Sequence, residues 1–281
     1  MNTDLIIRIS AFIGILAIMA IWERMAPRRP WSADRSTRWI INLAMGGVST
    51  LFIRVLLASG AVGAAVLAGQ AQVGIFHQLD WPWWVELSLA VILLDLVVYF
   101  QHVLMHAVPI LWRLHMVHHT DVDFDVTTGV RFHPLEILLS MVIKIAAVLL
   151  IGASPGAVVA FEVLLNATSM FNHSNVRIPW TVDRLLRWFL VTPDMHRIHH
   201  SVIPRETNRN FGFNLPWWDR VLGTYLPDPS RGQTGMTIGL EAYRDPGKLT
   251  WLMLMALPFL GKPGQYPTWM ADETEVTQRQ E

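Results

Sequence analysis

Between Leu5 and Trp22 the chain carries a single charge, Arg8, and long apolar runs recur at about Trp39–Gln70, Trp84–His102, Leu135–Ile151 and Ala157–Phe171. A helix needs about 20 mostly apolar residues to cross a bilayer core, and no water is available there to bond an open backbone. The expected fold class is therefore all-α: a polytopic membrane protein with about four to five transmembrane helices. The second run is interrupted by Gly46, Gly47, Gly60 and Gly63, and reads as one tilted helix or as a helix plus an interfacial piece. The last two are separated by Gly152-Ala153-Ser154-Pro155-Gly156, a turn that makes them a hairpin with arms on the short side.

Charged residues make up 16% of the 281-residue chain, against about 25% in soluble domains, and this deficit points to lipid as part of the solvent. Net charge is +0, so nothing draws the chain toward nucleic acid. Cysteine is absent, which excludes disulfides and thiolate metal sites and leaves imidazole and carboxylate as ligands. At the N-terminus the basic cluster follows the apolar run and no A-x-A site appears, so the segment reads as a retained first membrane helix rather than a signal peptide.

Arg24, Arg28, Arg29, Arg35 and Arg38 separate the first two runs, whereas Val55 to Trp112 contains no Lys or Arg. The positive-inside rule places the first loop, the region after His102 and everything after about Asn172 in the cytoplasm, with the Gly69–Trp84 loop and the hairpin tip outside. Trp81, Trp83 and Trp84 read as an outer aromatic belt. From about Pro179 to Asp228 a polar and aromatic stretch reads as a cytosolic helical cap, Trp251–Leu260 as an interfacial or core helix, and Ala271–Glu281 as a disordered tail. The whole chain, 1–281, reads as one membrane-embedded domain. Residues 1–83 supply membrane helices, 84–228 a histidine-rich catalytic region, and 229–281 a C-terminal segment.

Ten of the 11 histidines lie between His102 and His200. They form His102-x-x-x-His106, His115-x-x-His118-His119 and His196-x-x-His199-His200, with His133 and His173 between. On a helix, residues three and four apart share a face, so His102 and His106 can grip one ion. Adjacent residues splay by about 100°, so His118 and His119 can point at different ions, as can His199 and His200. Two such boxes face to face make a two-metal site, and the apolar runs and arginine bias independently place all ten on one side. His77 stands apart and reads as a surface histidine. An all-imidazole site suits iron, zinc or copper. A zinc hydrolase of the H-E-x-x-H type needs a Glu where this chain has Met116 and Arg197, and the ligands outnumber what one four-coordinate zinc takes. Two irons with open positions for O2 use them better. Transporters place ligands near the bilayer midplane, whereas these histidines lie at helix ends, which argues against a metal-transport role.

The three boxes in this order resemble the fatty acid hydroxylase / sterol desaturase superfamily of membrane di-iron enzymes. The resemblance extends to Asp95-x-x-x-Tyr99-x-x-His102, Arg131-Phe132-His133-Pro134-Leu135-Glu136, Phe171-Asn172-His173-Ser174-Asn175, Asn210-Phe211-Gly212 and Trp218-Asp219-Arg220-Val221-Leu222-Gly223-Thr224-Tyr225, and so covers about Leu94–Tyr225. It implies two iron ions, O2 as co-substrate, a membrane lipid substrate (fatty acyl, sterol, sphingoid or ether-lipid) and hydroxylation of a C–H bond, with desaturation on the same centre as the alternative. No Gly-x-Gly-x-x-Gly or fused cytochrome segment is evident, so electrons are expected from a separate donor protein or a small reducing cofactor. Some members carry a second H-x-x-x-H before the last box. Here Arg177 stands four residues after His173, which leaves His133 as the substitute ligand.

Asp95 and Tyr99 share the helical face of His102 and His106, and are expected to bond a ligand histidine or, for Asp95, to pair with an arginine. Asp194 is expected to orient His199 or to cap its helix. Lys144 and Glu162 are expected to pair across the hairpin. Phe100, Leu104, Phe132 and Trp188 are candidates for a lipid channel or plain core. With no KDEL-type signal in view, a bacterial inner membrane is favoured over the endoplasmic reticulum.

Overall fold

A computed structural model describes residues 3–267; the polar tail lies outside the described residues. The helices are α1 (Thr3–Met25), α2 (Arg35–Leu56), α3 (Gly60–Ala71), α4 (Trp83–Ala107), α5 (Pro109–His119), α6 (Pro134–Ile151) and α7 (Pro155–Asn172), followed by the short α8 (Trp180–Leu186), α9 (Pro193–His199), α10 (Pro204–Thr207), α11 (Trp217–Val221) and α12 (Gly232–Gly235), and finally α13 (Trp251–Leu260). Among the described residues there is no strand, only two isolated bridges.

Four segments are long and apolar enough to cross a membrane: Leu5–Met25, Arg35–Gln78, Trp83–Ala107 and Pro134–Ile151. The glycine-interrupted second run resolves into α2 and α3, broken at Leu57–Ser59, with Gly60 in the left-handed region. α7, which carries Asn166, Thr168, Ser169 and Asn172, is not among the four. The turn before it forms as the Gly-Pro punctuation requires. Gly152 adopts φ +76 and Ser154 caps α7 by accepting from the Ala157 N–H. A side chain at Gly74 would meet Gly152 Cα at 2.4 Å, so two glycines let the 74–78 turn close the end of the bundle remote from the boxes.

α3 packs against both α6 and α7, and α4 packs against both as well, so the hairpin arms open around a shared apolar core of Ala61, Ala65, Ala90, Leu94, Val148, Val158 and Phe161. The expected Lys144–Glu162 pair forms at 2.9 Å, and Arg8 of α1 joins it. α13 packs on α5 and α2 and buries Leu254 and Leu257.

The opposite end is polar and closed. The 120–129 part of the α5–α6 connector is buried, and its carboxylates and amides bond to the end of α1, the α1–α2 corner and the start of α2. Arg38 grips Asp121 with two donors at 2.7 and 2.8 Å and Asp125 with a third at 2.7 Å. Asp123 accepts from the backbone N–H of Ser32 and Ala33, and Glu23 accepts from those of Val126 and Asn175. Arg131 donates to Asn42, Thr120 and the Val117 carbonyl. Each buried charge thus has partners, as burial demands.

Candidate metal centre

Nine of the ten expected histidines converge in two buried groups. His102, His106, His115, His119 and His199 form one, and His118, His173, His196 and His200 form the other, with the potential ligand atoms in each lying within 4.8 Å of one another. α4 contributes His102 and His106 from one face, α5 contributes His115 and His119 to the first group and His118 to the second, and α9 with its C-cap divides His199 from His196 and His200. The groups adjoin, since His119 and His200 stack with ring centroids 4.5 Å apart.

Four of the five histidines of the first group have a committed outer nitrogen. His102 Nδ1 donates to the Phe211 carbonyl (2.8 Å), His199 Nδ1 to the Arg209 carbonyl (2.9 Å) and His106 Nδ1 to Asn208 Oδ1 (3.1 Å). The Asn208 amide is itself oriented by donating to the Tyr266 carbonyl. His115 Nδ1 meets Glu136 Oε1 at 2.6 Å. These partners assign the proton to Nδ1 and turn each Nε2 lone pair inward.

His102 Nε2 and His115 Nε2 then face each other at 3.1 Å with two lone pairs and no proton between them. Nε2 of His106 and of His199 is buried with no partner, as are both nitrogens of His200. Unpaired buried polar atoms cost about 1–3 kcal/mol each, and a cation removes that cost. At metal–nitrogen distances of about 2.1 Å, ligands at a right angle lie about 3.0 Å apart and tetrahedral ones about 3.4 Å. The separations of 3.1 and 3.2 Å around His115 lie between these values, so these nitrogens can share one ion. In the second group His173 Nε2 lies 3.1 Å from both His118 Nε2 and His196 Nε2, while its Nδ1 is held by the Ser169 carbonyl.

Burial, reinforced by neighbouring imidazoles, holds His118, His119, His196, His199 and His200 well below the ordinary histidine range. Burial takes His173 down to about 3 against the Ser169 bond, which raises it. The imidazoles are thus neutral, the form that ligates a metal. Aromatic rings wall the centre: Phe132 stacks on His118 (centroids 4.4 Å), Trp112 lies 4.9 Å from His106, and Phe124 lies 5.0 Å from His200.

His133 does not join either group. It caps α6, accepting from the Leu135 N–H at Nδ1, and its Nε2 meets the Met255 carbonyl at 3.2 Å, so both ring nitrogens are engaged elsewhere. The expected contacts of the three supporting residues are also replaced. Asp95 accepts from the backbone N–H of Asn214 and Leu215 and from the Trp218 indole, not from a histidine or an arginine. The Tyr99 hydroxyl bonds Thr224. Asp194 pairs with Arg28 and Arg197, while Thr192 caps α9. Asp95 and Tyr99 act at one remove, because they hold the segment whose Phe211 carbonyl orients His102. Asp219 secures the same segment, accepting from the Phe211 and Gly212 N–H groups and the Thr224 hydroxyl. Phe132 lines the centre, whereas Phe100, Leu104 and Trp188 are exposed on the outer surface. His77 lies in the remote 75–78 turn.

Glu136 and Asn208 contribute to the site without having been expected from the sequence. Glu136 stands in a quoted motif, but only the fold turns it toward His115. Asn208 has no spacing signal at all.

The fold and the site define a polytopic helical protein with a two-part histidine cage at one end of an apolar bundle. A model of the fatty acid hydroxylase family matches residues 87–224. The ornithine lipid hydroxylase OlsE of Rhizobium tropici is 29% identical over 239 residues, 80% of this chain and 70% of that protein. Alkylglycerol monooxygenase of Xenopus tropicalis is 29% identical over 58% of this chain and 34% of its own length, and human cholesterol 25-hydroxylase 29% identical over 47% and 48%. The chain thus spans less than half of the latter two relatives. No solved structure matches it. Over residues 87–224 the chain is thus similar to the fatty acid hydroxylase family, and the relatives it resembles are hydroxylases and monooxygenases, consistent with an oxidoreductase.

Proposed function

We propose that this protein is a di-iron, O2-dependent hydroxylase acting on a C–H bond of a membrane lipid. The observation that carries the reading is the division of nine buried imidazoles into adjoining groups of five and four, with several buried nitrogens that no protein group satisfies. Zinc is disfavoured because a group of five imidazoles outnumbers the ligands of a four-coordinate tetrahedral ion. An alkyl C–H bond resists acid–base chemistry, so two bound irons would supply activation of O2 and hydrogen abstraction. The chain's own residues do the rest. Backbone carbonyls, Asn208 and Glu136 orient the ligands. Trp112, Phe124, Phe132 and Phe211 keep bulk water away from the centre, which protects a strongly oxidising site from side reactions. The ten-histidine expectation reduces to nine ligands: His102, His106, His115, His119 and His199 for one ion, and His118, His173, His196 and His200 for the other.

The names of the relatives support a lipid substrate, and the relative matched over most of its length acts on ornithine lipid. Electrons would come from a separate donor protein or small reductant. The arginine bias supports a cytosolic location for the histidine end; the membrane is a bacterial inner membrane or, as the alternative, the endoplasmic reticulum. Lipid mass spectrometry of cells with and without the protein tests the reaction. A gain of one oxygen atom is expected, loss of two hydrogens would make it a desaturase, and an unchanged lipidome together with a single bound zinc would overturn the oxygenase reading.

A further inference from the structure

Asp95 is the middle residue of α4, twelve positions from Trp83 and twelve from Ala107. Each end is about 18 Å away, so Asp95 lies at bilayer depth in a helix of membrane-crossing length and composition. Its carboxylate holds the Asn214 and Leu215 backbone at 3.2 Å each and the Trp218 indole at 2.8 Å. One turn on, Tyr99 bonds Thr224 at 2.8 Å. The segment from Asn214 to Thr224 therefore lies along α4 from its midpoint toward the histidine end. Irregular backbone at such depth requires its polar groups to be satisfied by protein, and Asp95 satisfies two of these amides.

The outer side of this segment is apolar and uncovered. Trp217, Val221 and Leu222 are exposed, and so are Leu185, Trp188 and Phe189 at the end of α8. The two sets form one surface: the Trp217 indole donates to the Trp188 carbonyl (2.7 Å), and the Arg220 guanidinium lies 4.3 Å over the Trp188 ring. Phe100 of α4, whose ring meets Tyr99 at 5.6 Å, carries the exposed apolar surface on along the helix toward the bilayer. Between Val176 and Val191 the exposed ionic side chains are Arg177 and Arg184, while Asp183 is buried against Arg187 at 2.6 Å. An aromatic and aliphatic face rimmed by arginine matches the boundary between acyl chains and anionic headgroups.

We propose that residues 180–190 and 217–222 form an interfacial apron, seated on α4 and immersed in the leaflet at the histidine end. Leu185, Phe189 and Val221 enter the acyl layer, and Arg177 and Arg184 meet anionic headgroups. The occupant of this surface is lipid, and the inference stands apart from the metal and the reaction.

The chain has no cysteine, so single spin labels can be placed without background. Leu185→Cys, Phe189→Cys and Val221→Cys are each labelled in the full chain, with Glu241→Cys as an exposed control. The proteins are reconstituted in nanodiscs of phosphatidylcholine and phosphatidylglycerol. Collision with O2 is expected to exceed collision with an aqueous nickel chelate at the three apron sites and to fall below it at Glu241. Labels that behave like the Glu241 label would overturn the proposal. So would labels shielded from both reagents with dipolar broadening between copies, which would assign the face to a second chain. Leaving out phosphatidylglycerol is expected to make the Leu185 label shallower, and an unchanged depth would overturn the role given to the arginines.

Discussion

Glu136 Oε1 lies 2.6 Å from His115 Nδ1, and this contact joins the first turn of α6 to the histidine that stands nearest both His102 and His119. The carboxylate fixes the orientation and tautomer of the ring, an arrangement whose removal typically costs about 10–100-fold in metal affinity or activity. Glu136→Gln is expected to lower iron retention during dialysis and turnover by about that factor, with helix content unchanged. Wild-type iron retention would show that the contact is only packing.

Replacing a ligand should differ from replacing a look-alike. His118→Ala and His199→Ala are each expected to abolish activity and reduce bound metal. His77→Ala is expected to do neither, because it lies in the remote turn. His133→Ala should keep the full metal content and lose only the α6 cap, about 1 kcal/mol of stability. Metal analysis beside thermal unfolding separates these outcomes, and metal loss in His133→Ala would return that residue to the ligand set.

The imidazoles set a pH window. His173 titrates at about 3 in the folded chain against 6.5 for the free side chain, and five others are displaced in the same direction. The unfolded chain therefore binds protons that the folded chain refuses. Stability from these groups is fully present above pH 6.5 and is lost as pH falls from there toward 3. Melting temperature and metal content are expected to fall together below about pH 6.5, and a flat profile down to pH 4 would contradict the neutral, ligand-ready state.

Arg38 holds the connector that carries the chain from His119 to His133. Its pairs with Asp121 and Asp125, both at 2.7 Å, are buried. Arg38→Ala is expected to cost about 3–5 kcal/mol, because it leaves two buried carboxylates unpaired. Arg38→Lys should recover little, because one ammonium cannot reproduce the two-pronged grip. Thermal unfolding of the purified variants in detergent measures both, and recovery by lysine would reduce the contact to simple charge balance.

Periodicity alone identified the bundle and most of the cage. Apolar runs of membrane length had to become helices, and imidazoles three and four apart had to share a helical face, so both followed from local geometry. Adjacent imidazoles had to diverge for the same reason, and the structure distributes His118 and His119, and His199 and His200, between the two groups. What lay beyond local geometry was decided by the tertiary structure. His133 and His173 look equivalent in the sequence, yet His173 points inward from the end of α7 while His133 caps α6, because the buried connector fixes where α6 begins. Asp95 shares a face with two ligands, yet it serves a segment about 120 positions away, as its bonds to Asn214 and Leu215 record. Spacing along one helix specifies which side chains point together. Which distant backbone meets them depends on how the helices pack, and only the folded chain holds that information.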